Sequence, residues 1–384
     1  MRHHNSVFHS VLKHVPWHRF ERLVEEHQSD KHVRSLTTKS QFIALIYGQL
    51  SGARSLREIE AALESHAAKL YHLGAEGAKR STLSDANRLR PWEVFSGVFA
   101  DLVGQLARNH KRGIGEVVHL IDASGLRLSE LSKDWARFSA GVCGVKMHVI
   151  YDPNDDCPIY AAVTPANVND ITAAKEMPID PGATYVFDLG YYDYGWWAKL
   201  DFAGCRIVTR LKANTKLSVV AGNAVEKGSN ILSDRIGHLP QRMARSRENP
   251  FQDPVREICV KIETGKVLRI LTNDLDAPAQ EIADLYKRRW QIELFFRWIK
   301  QTLKIKHFLG RSENAVRIQI MIALITFLLL RLAHGTQRAV NSLLAFTRLV
   351  RANLMHRRPL ENLLRPPPDI VKDKRQMSLE LCQN

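Results

Sequence analysis

Residues 286–304 read YKRRWQIELFFRWIKQTLK, and the spacing of their charges organises the reading of the whole chain. Wound as a single α-helix at about 100° per residue, Tyr286, Arg289, Glu293, Arg297, Lys300 and Lys304 fall within about 40° of one line. One carboxylate therefore stands in a row of cations and a tyrosine. Leu285, Ile292, Phe296, Ile299 and Leu303 flank the row on one side, and Trp290, Leu294 and Trp298 on the other. Apolar walls on both sides predict a polar stripe set into the protein rather than a solvated face. The competing reading is an exposed ion-pair ladder from Arg289 through Glu293 to Arg297 at i,i+4 spacing.

Upstream, the hydrophobic period changes from that of helices to that of strands. Residues 117–122, VVHLID, form a buried-strand run that ends in Asp122; residues 142–151 alternate as a second strand and 159–163 offer a third. Residues 184–188, TYVFD, make another apolar strand ending in Asp188, followed by a Gly190-Tyr191 turn, a helix around 196–202 and a fifth strand over 206–210. Three successive strands followed by strand and helix alternation predict a mixed α/β fold. Between Lys212 and Pro278 lie short β-like runs at 217–220, 255–262 and 267–271. That segment is too long for a bare loop and reads as a β-rich insertion. A buried helix near 318–332 follows, then a charged, proline-broken tail with Arg357, Arg358 and Arg365-Pro366-Pro367-Pro368.

In an α/β sheet, neighbouring parallel strands set strand-end carboxylates side by side, and a helix packed across the sheet brings in a third. Asp122, Asp188 and Glu293 are that trio. Converging acidic oxygens with no partner lysine are costly unless divalent cations occupy the site, and hard carboxylate ligands suit Mg²⁺ or Mn²⁺. Two such ions, about 3.5–4 Å apart, activate an attacking hydroxyl and stabilise the leaving oxygen in phosphodiester cleavage. The cations beside Glu293 would hold DNA phosphates near them. Asp170 and Asp193 lie near Asp188, but in a turn or helix rather than at the end of an apolar strand. Asp152, Asp155 and Asp156 sit in a YDPNDD turn that reads as a solvated hairpin loop.

At 384 residues there is room for two or three cores, and the formal charge of +15 favours polyanions, nucleic acid first. Five cysteines without CxxC pairs or an even framework argue against zinc ribbons and a disulfide-built secreted domain, and point to reduced intracellular residues. The first twenty residues carry no apolar run, so no secretory signal is expected. His3, His4, His9, His14 and His18 are scattered without acidic or cysteine partners, which argues against a metal tract. The longest apolar run, residues 320–330, is about eleven residues and short of a bilayer span.

Residues 1–112 read as helices only. Thr38 is positioned to cap a helix carrying Phe42, Ile43, Leu45, Ile46 and Leu50, and Ser55-Leu56-Arg57-Glu58 is a capping box. A Gly and Lys patch at 74–80 interrupts the pattern before a polar helix at 81–88, and Pro91 starts the next helix. Small helices with tight turns, one ending in Arg88 and Arg90, resemble a helix-turn-helix reader of a DNA groove; the alternative is a helical cap packed on the main domain.

Together these residues resemble a bacterial DDE transposase of the insertion sequence 4 family. That family marks its third catalytic carboxylate by tyrosine, two residues, arginine, three residues, glutamate, six residues and lysine; Tyr286, Arg289, Glu293 and Lys300 match every position. Its second carboxylate precedes a glycine and an aromatic, as in Asp188-Leu189-Gly190-Tyr191, and its first ends a strand before small polar residues, as in Ile121-Asp122-Ala123-Ser124. The stretch from Lys146-Met147-His148 to Asn167-Val168-Asn169-Asp170 is similar to the family's segment between these motifs, and residues 8–92 are similar to the helical domain often fused ahead of such cores.

The resemblance implies a ribonuclease-H-like core interrupted by a β-rich insertion, an all-helical N-terminal domain before it and helices after it. The expected division is 1–112 helical and DNA-binding, 113–212 first part of the core, 213–278 insertion, 279–310 remainder of the core, and 311–384 C-terminal helices and basic tail. It further implies two Mg²⁺ ions, with Mn²⁺ as substitute, on Asp122, Asp188 and Glu293; Tyr286, Arg289 and Lys300 gripping phosphates; and Arg210 and Lys212 as additional DNA contacts by position. The implied activity is cutting of double-stranded DNA at terminal inverted repeats, in some members through a hairpin, and joining of 3′-OH ends to target DNA. A homodimer in the synaptic complex, no membrane partner and a cytoplasmic, nucleoid-associated location go with it. A non-joining nuclease on the same core and an inactive sequence-specific DNA-binding protein are the alternatives.

Overall fold

The computed structural model describes residues 5–109, 116–139, 141–242, 248–305 and 307–364. His3, His4 and the tail from Arg365 lie outside the described residues. The chain forms two compact units, one of Val15–Leu329 and one of Met1–His14 with Leu330–Asn384.

The N-terminal part is helical, as its pattern predicts: α1 (Val7–Leu12), α2 (Trp17–Glu26), α3 (Thr38–Ser51), α4 (Leu56–Glu64), α5 (Ala67–Leu70), α6 (Arg80–Leu89) and α7 (Glu93–Asn109). Helix α3 is the hub of this part, with Phe42, Ile46 and Leu50 fully buried. Thr37, not Thr38, caps it by accepting from Ser40 N at 3.1 Å, while Thr38 is buried and donates its hydroxyl to Asp30. Ser55 caps α4 as expected, accepting from Glu58 N at 3.2 Å, and Glu58 reaches back to Arg54 N at 2.8 Å. A cap of this kind stabilises its helix by about 1 kcal/mol. Arg90 is not free to read DNA. It is 8% exposed, donates to Gln41 Oε1 and the Leu36 carbonyl, and is thereby built into the helical core. Asn314 also donates to the carbonyls of Asn87 and Arg90, which favours the packed-cap reading for this end of α6.

The central sheet comprises β1 (Val118–Leu128), then past a short α8 (Lys133–Ala136) β2 (Arg137–Ser139), β3 (Val142–Asp152) and β4 (Cys157–Pro165). After α9 (Asp170–Ala174) come β5 (Thr184–Val186), α10 (Tyr194–Phe202) and β6 (Arg206–Arg210), then β7 (Ser218–Gly222), β8 (Ile231–His238), β9 (Val255–Lys261) and β10 (Val267–Thr272). Strand order is β2-β3-β1-β5-β6-β10-β9-β8-β7, with β4 also paired to β3. β1, β5 and β6 run parallel, and β3 runs antiparallel to β1. The strands of the β-rich stretch thus extend the same sheet, because β10 pairs antiparallel with β6.

The expectation that the first strand ends in Asp122 is corrected by its length. β1 continues to Leu128 because its pairing with β3 runs from Leu120 to Leu128, while its parallel pairing with β5 stops at Leu120. Asp122 therefore stands in mid-strand, just where one neighbour ends.

The decisive stretch is also not one helix. α11 (Ala279–Arg288) and α12 (Trp290–Thr302) meet at Arg289, where Arg289 N bonds the Tyr286 carbonyl and Ile292 N the Arg289 carbonyl, a tightened i→i−3 pattern. One flank of α12 is the more deeply buried: Ile292, Phe295, Phe296 and Ile299 face the fold, whereas on the other Trp290 is 50% and Leu294 43% exposed and Trp298 is half-buried against Phe327. Burial of each of those four side chains contributes about 1.5–3 kcal/mol and fixes the helix on the sheet. Lys304 lies beyond α12 with φ of 52° and leaves the predicted row.

α13 (Glu313–Gly335) is longer than its greasiest run and, by length and composition, long enough to cross a membrane; 83% of its most apolar window is buried in the fold, so it is a core helix. α14 (Leu343–Ala352) follows, and Val7 N and Phe8 N of α1 bond the carbonyls of His356 and Leu354 just past it.

Candidate active site

The sheet register places the first two carboxylates. Leu120 of β1 pairs with Val186 of β5, so Asp122 and Asp188, each two residues further on, reach the same level and face. Val186 in turn pairs with Val208 of β6, which sets Arg210 at that level as well. Tyr151, opposite Leu120, lies on this face and meets Phe295 of α12 with ring centroids 5.1 Å apart. That packing carries α12 across the sheet and brings Glu293 to Asp122. The two line a cleft of about 360 Å³ together with Ser124, Arg297 and Lys300.

Local hydrogen bonds hold the carboxylates. Ala123 N donates to Asp122 Oδ1 at 2.8 Å, and Gly190 N donates to Asp188 Oδ1 at 2.8 Å. Burial pushes the Asp122 carboxyl up to about 6; the charges of Asp188 and Glu293 add to the rise, and Ala123 N–H and Arg289 oppose it. This like-charge load is what a bound cation relieves.

A protein cation already stands there. Arg289 Nη2 donates to Glu293 Oε1 at 2.6 Å while its Nη1 lies 3.7 Å from Asp122 Oδ2. The acids have no partner lysine, as expected, but the junction of α11 and α12 aims the Arg289 guanidinium between two of them. Among the described residues, no three acidic, histidine or cysteine side chains lie close enough together to hold a metal. Burial would lower the Arg289 pKa, but Tyr286, Glu293 and Asp122 raise it.

The remaining expected residues divide between the site and its rim. Tyr286 is buried, and burial raises its pKa against the pull of Arg289 and Arg210; Asp188 raises it further. Tyr286, Arg289, Arg210 and Asp188 thus share one environment. Arg210 Nε is buried with no partner among the described residues. Lys300 Nζ donates to the Gly125 carbonyl at 2.9 Å, along β1 from Asp122. Lys212 lies 4.1 Å over the Tyr192 ring. Arg297 rests over the Trp290 ring at 5.7 Å, so only the Arg289 half of the expected ion-pair ladder forms.

Asp193 caps α10 through Trp196 N and pairs with Lys175 at 2.8 Å, a structural post. Asp152 accepts from Asn154 N in the hairpin turn, as expected of a loop residue. Asp170 was ranked below Asp188 by its place in the chain, yet it stands against Asp188 over Gly190. The signal for it was Lys146, a lone lysine inside an otherwise apolar strand.

The sequence matches the Transposase DDE domain over residues 114–329 and a domain of unknown function, DUF4372, over residues 3–76. A relative in Sinorhizobium fredii named as a transposase, y4zB, is 43% identical over 286 residues, covering 74% of this chain and 80% of that protein. One in Synechocystis sp., named as a transposase for insertion sequence element IS4SA, is 34% identical over 74% of this chain and 80% of its own length. One in Geobacillus stearothermophilus, named for insertion sequence element IS5377, is 26% identical over 73% of this chain and 74% of its own. A solved piggyBac transposase synaptic complex with hairpin DNA aligns at a TM-score of 0.46 and 12% identity, over 94% of this chain and 81% of that one.

Proposed function

The chain belongs to the Transposase DDE domain family, and from that membership we propose how its site works. It is an insertion-sequence transposase, an enzyme that cuts DNA and transfers strands. In our reading the cuts fall at the element's terminal inverted repeats, and the 3′-OH ends are joined to target DNA. The observation that carries this reading is the register that sets Asp122 and Asp188 on one face, with Glu293 brought opposite by α12.

We read the β4-β3-β1-β5-β6 part of the sheet as a ribonuclease-H-like core. Its support is an antiparallel β1-β3-β4 meander whose first strand continues into parallel pairing with β5 and then β6, with Asp122 on β1 and Asp188 just past the end of β5.

Divalent metal ions are the family's cofactors; we propose two Mg²⁺ ions, replaceable by Mn²⁺, on Asp122, Asp188 and Glu293. The chemistry of the donors supports this, although the three are not gathered closely enough to hold an ion as they stand: they are hard oxygens, burial and the charges of Asp188 and Glu293 raise Asp122, and a guanidinium stands where positive charge is needed. When bound, such ions ready the attacking oxygen and stabilise the leaving oxygen of a phosphodiester. Arg289, Arg210 and Tyr286 are placed to hold the phosphates beside the cut, the arginines as planar forks and Lys300 as a point charge at the cleft's edge. Lys212 is a contact farther along the DNA. The helical N-terminal part would read the element's ends, through exposed side chains such as Arg88 rather than Arg90. Because two ends must be cut together, we assign a homodimer on DNA, working in the cytoplasm at the nucleoid.

The test is incubation of the purified protein with DNA carrying its own element's ends, with and without Mg²⁺, read on a denaturing gel. Mg²⁺-dependent nicks at the ends and joined products are expected. Cutting without end preference or joining would make it a plain nuclease, and no cutting at all an inactive binder.

A further inference from the structure

We propose that Asp170, tied by Lys146, is a positioning residue of the acidic site: an outer-sphere carboxylate for the cation held at Asp188. This rests on the reading of Asp122 and Asp188 as metal ligands. Lys146 projects from β3, and its Nζ donates to Asp170 Oδ1 and to the Val168 carbonyl, both at 2.9 Å. That grip leaves the other oxygen of Asp170 facing Gly190. A Cβ on Gly190 would lie 3.2 Å from Asp170 Oδ2 and 3.0 Å from Asp188 Oδ1, so the two carboxylates meet over one glycine.

Such an approach of like charges is unfavourable unless balanced. Lys146 pairs with Asp170 and Arg289 stands against Asp122 and Glu293, while Asp188 has no ion-pair partner among the described residues. A helix-capping role does not explain Asp170, because the N-cap of α9 is Asn169 and its first-turn acid needs no buried-strand lysine to hold it.

A second, independent feature points into the same place. Tyr191 is 1% exposed and its ring is fixed beside Phe187 and Trp196, with centroids 6.1 and 6.2 Å away. Its hydroxyl has no hydrogen-bond partner among the described residues. Burial first, then the charges of Asp122, Asp170 and Asp188, raise this phenol well above its ordinary range. An unsatisfied buried hydroxyl is costly, so a fold that keeps one beside these acids leaves a polar group for the water around a cation to satisfy. Outer-sphere groups of this kind orient the direct ligands, and their loss weakens metal binding by about 10–100-fold.

The experiment is a Mn²⁺ titration of the full-length protein, followed by the loss of the free-ion EPR signal, for the parent and for Asp188→Asn, Asp170→Asn and Gly190→Ala. Asp188→Asn is expected to abolish binding at the site. Asp170→Asn is expected to weaken it by about 10–100-fold while the melting temperature in EDTA and DNA binding in EDTA stay at the parent's values. Gly190→Ala keeps every charge but presses on Asp188 Oδ1 as well as on Asp170 Oδ2, and it is expected to weaken Mn²⁺ in the same range or more. Parent-like Mn²⁺ affinity in both Asp170→Asn and Gly190→Ala, with binding lost in Asp188→Asn, overturns the role of Asp170 alone. Parent-like affinity in Asp188→Asn overturns the ligand reading and this inference with it.

Discussion

Replacing Asp122 by asparagine should stabilise the protein in EDTA while destroying its activity. The Asp122 side chain is 19% exposed, and burial, with Asp188 and Glu293 adding to it, moves its carboxyl from the ordinary 3.8 to about 6. A carboxyl raised on folding binds its proton more tightly in the folded chain, so stability is greatest below pH 4 and falls as pH rises to about 6. The gap corresponds to about 3 kcal/mol lost by pH 8. Asparagine keeps the shape without the charge and escapes that loss. Urea unfolding in EDTA at pH 4 and pH 8 reads both ends of the window. The two proteins should match at pH 4 to within about 1 kcal/mol, and Asp122→Asn should be the more stable by about 3 kcal/mol at pH 8. Added Mg²⁺ should then stabilise the parent and leave the variant unchanged. An Asp122→Asn protein no more stable than the parent at pH 8 would refute the argument that burial, with Asp188 and Glu293 beside it, strains this carboxylate.

Other parts of the structure make separate predictions. Lys300→Ala should weaken binding to DNA ends and lower the slope of log affinity against log salt by about 1, the signature of one lost phosphate contact. Asp234→Ala strips the partner from buried Arg256, which it holds at 2.8 and 2.6 Å, and should cost about 3–5 kcal/mol in urea unfolding. Gly52→Ala forces a Cβ onto the α3 C-cap at φ 78° and should cost about 1 kcal/mol, seen as a lower melting temperature without loss of end cutting at low temperature.

The parallel strands beside Asp122 and Asp188 were legible because apolar runs such as TYVFD announce buried strands whatever surrounds them. Strand β8 was not: its buried positions include Asp234, which is inside only because Arg256 meets it there, and a paired charge breaks the alternation by which strands are recognised. The stretch at 286–304 reads as one rigid rod in the sequence and is two helices in the structure. One turn of tightened hydrogen bonds at Arg289 takes Lys304 out of the row and points a guanidinium at Glu293, and helical spacing alone carries no sign of either. Arg210 and Asp170 owe their places to strand register and to Lys146, which are long-range matters that residue order does not state.

The central claim is that Glu293 is a catalytic carboxylate and not one half of a surface ion pair. Its direct test is Glu293→Gln assayed twice, for cutting of end-bearing DNA in Mg²⁺ on a denaturing gel and for binding of the same DNA by gel shift. The account predicts cutting reduced to background with end binding within about threefold of the parent, since glutamine removes the charge and keeps the shape. Parent-level cutting by Glu293→Gln would contradict it.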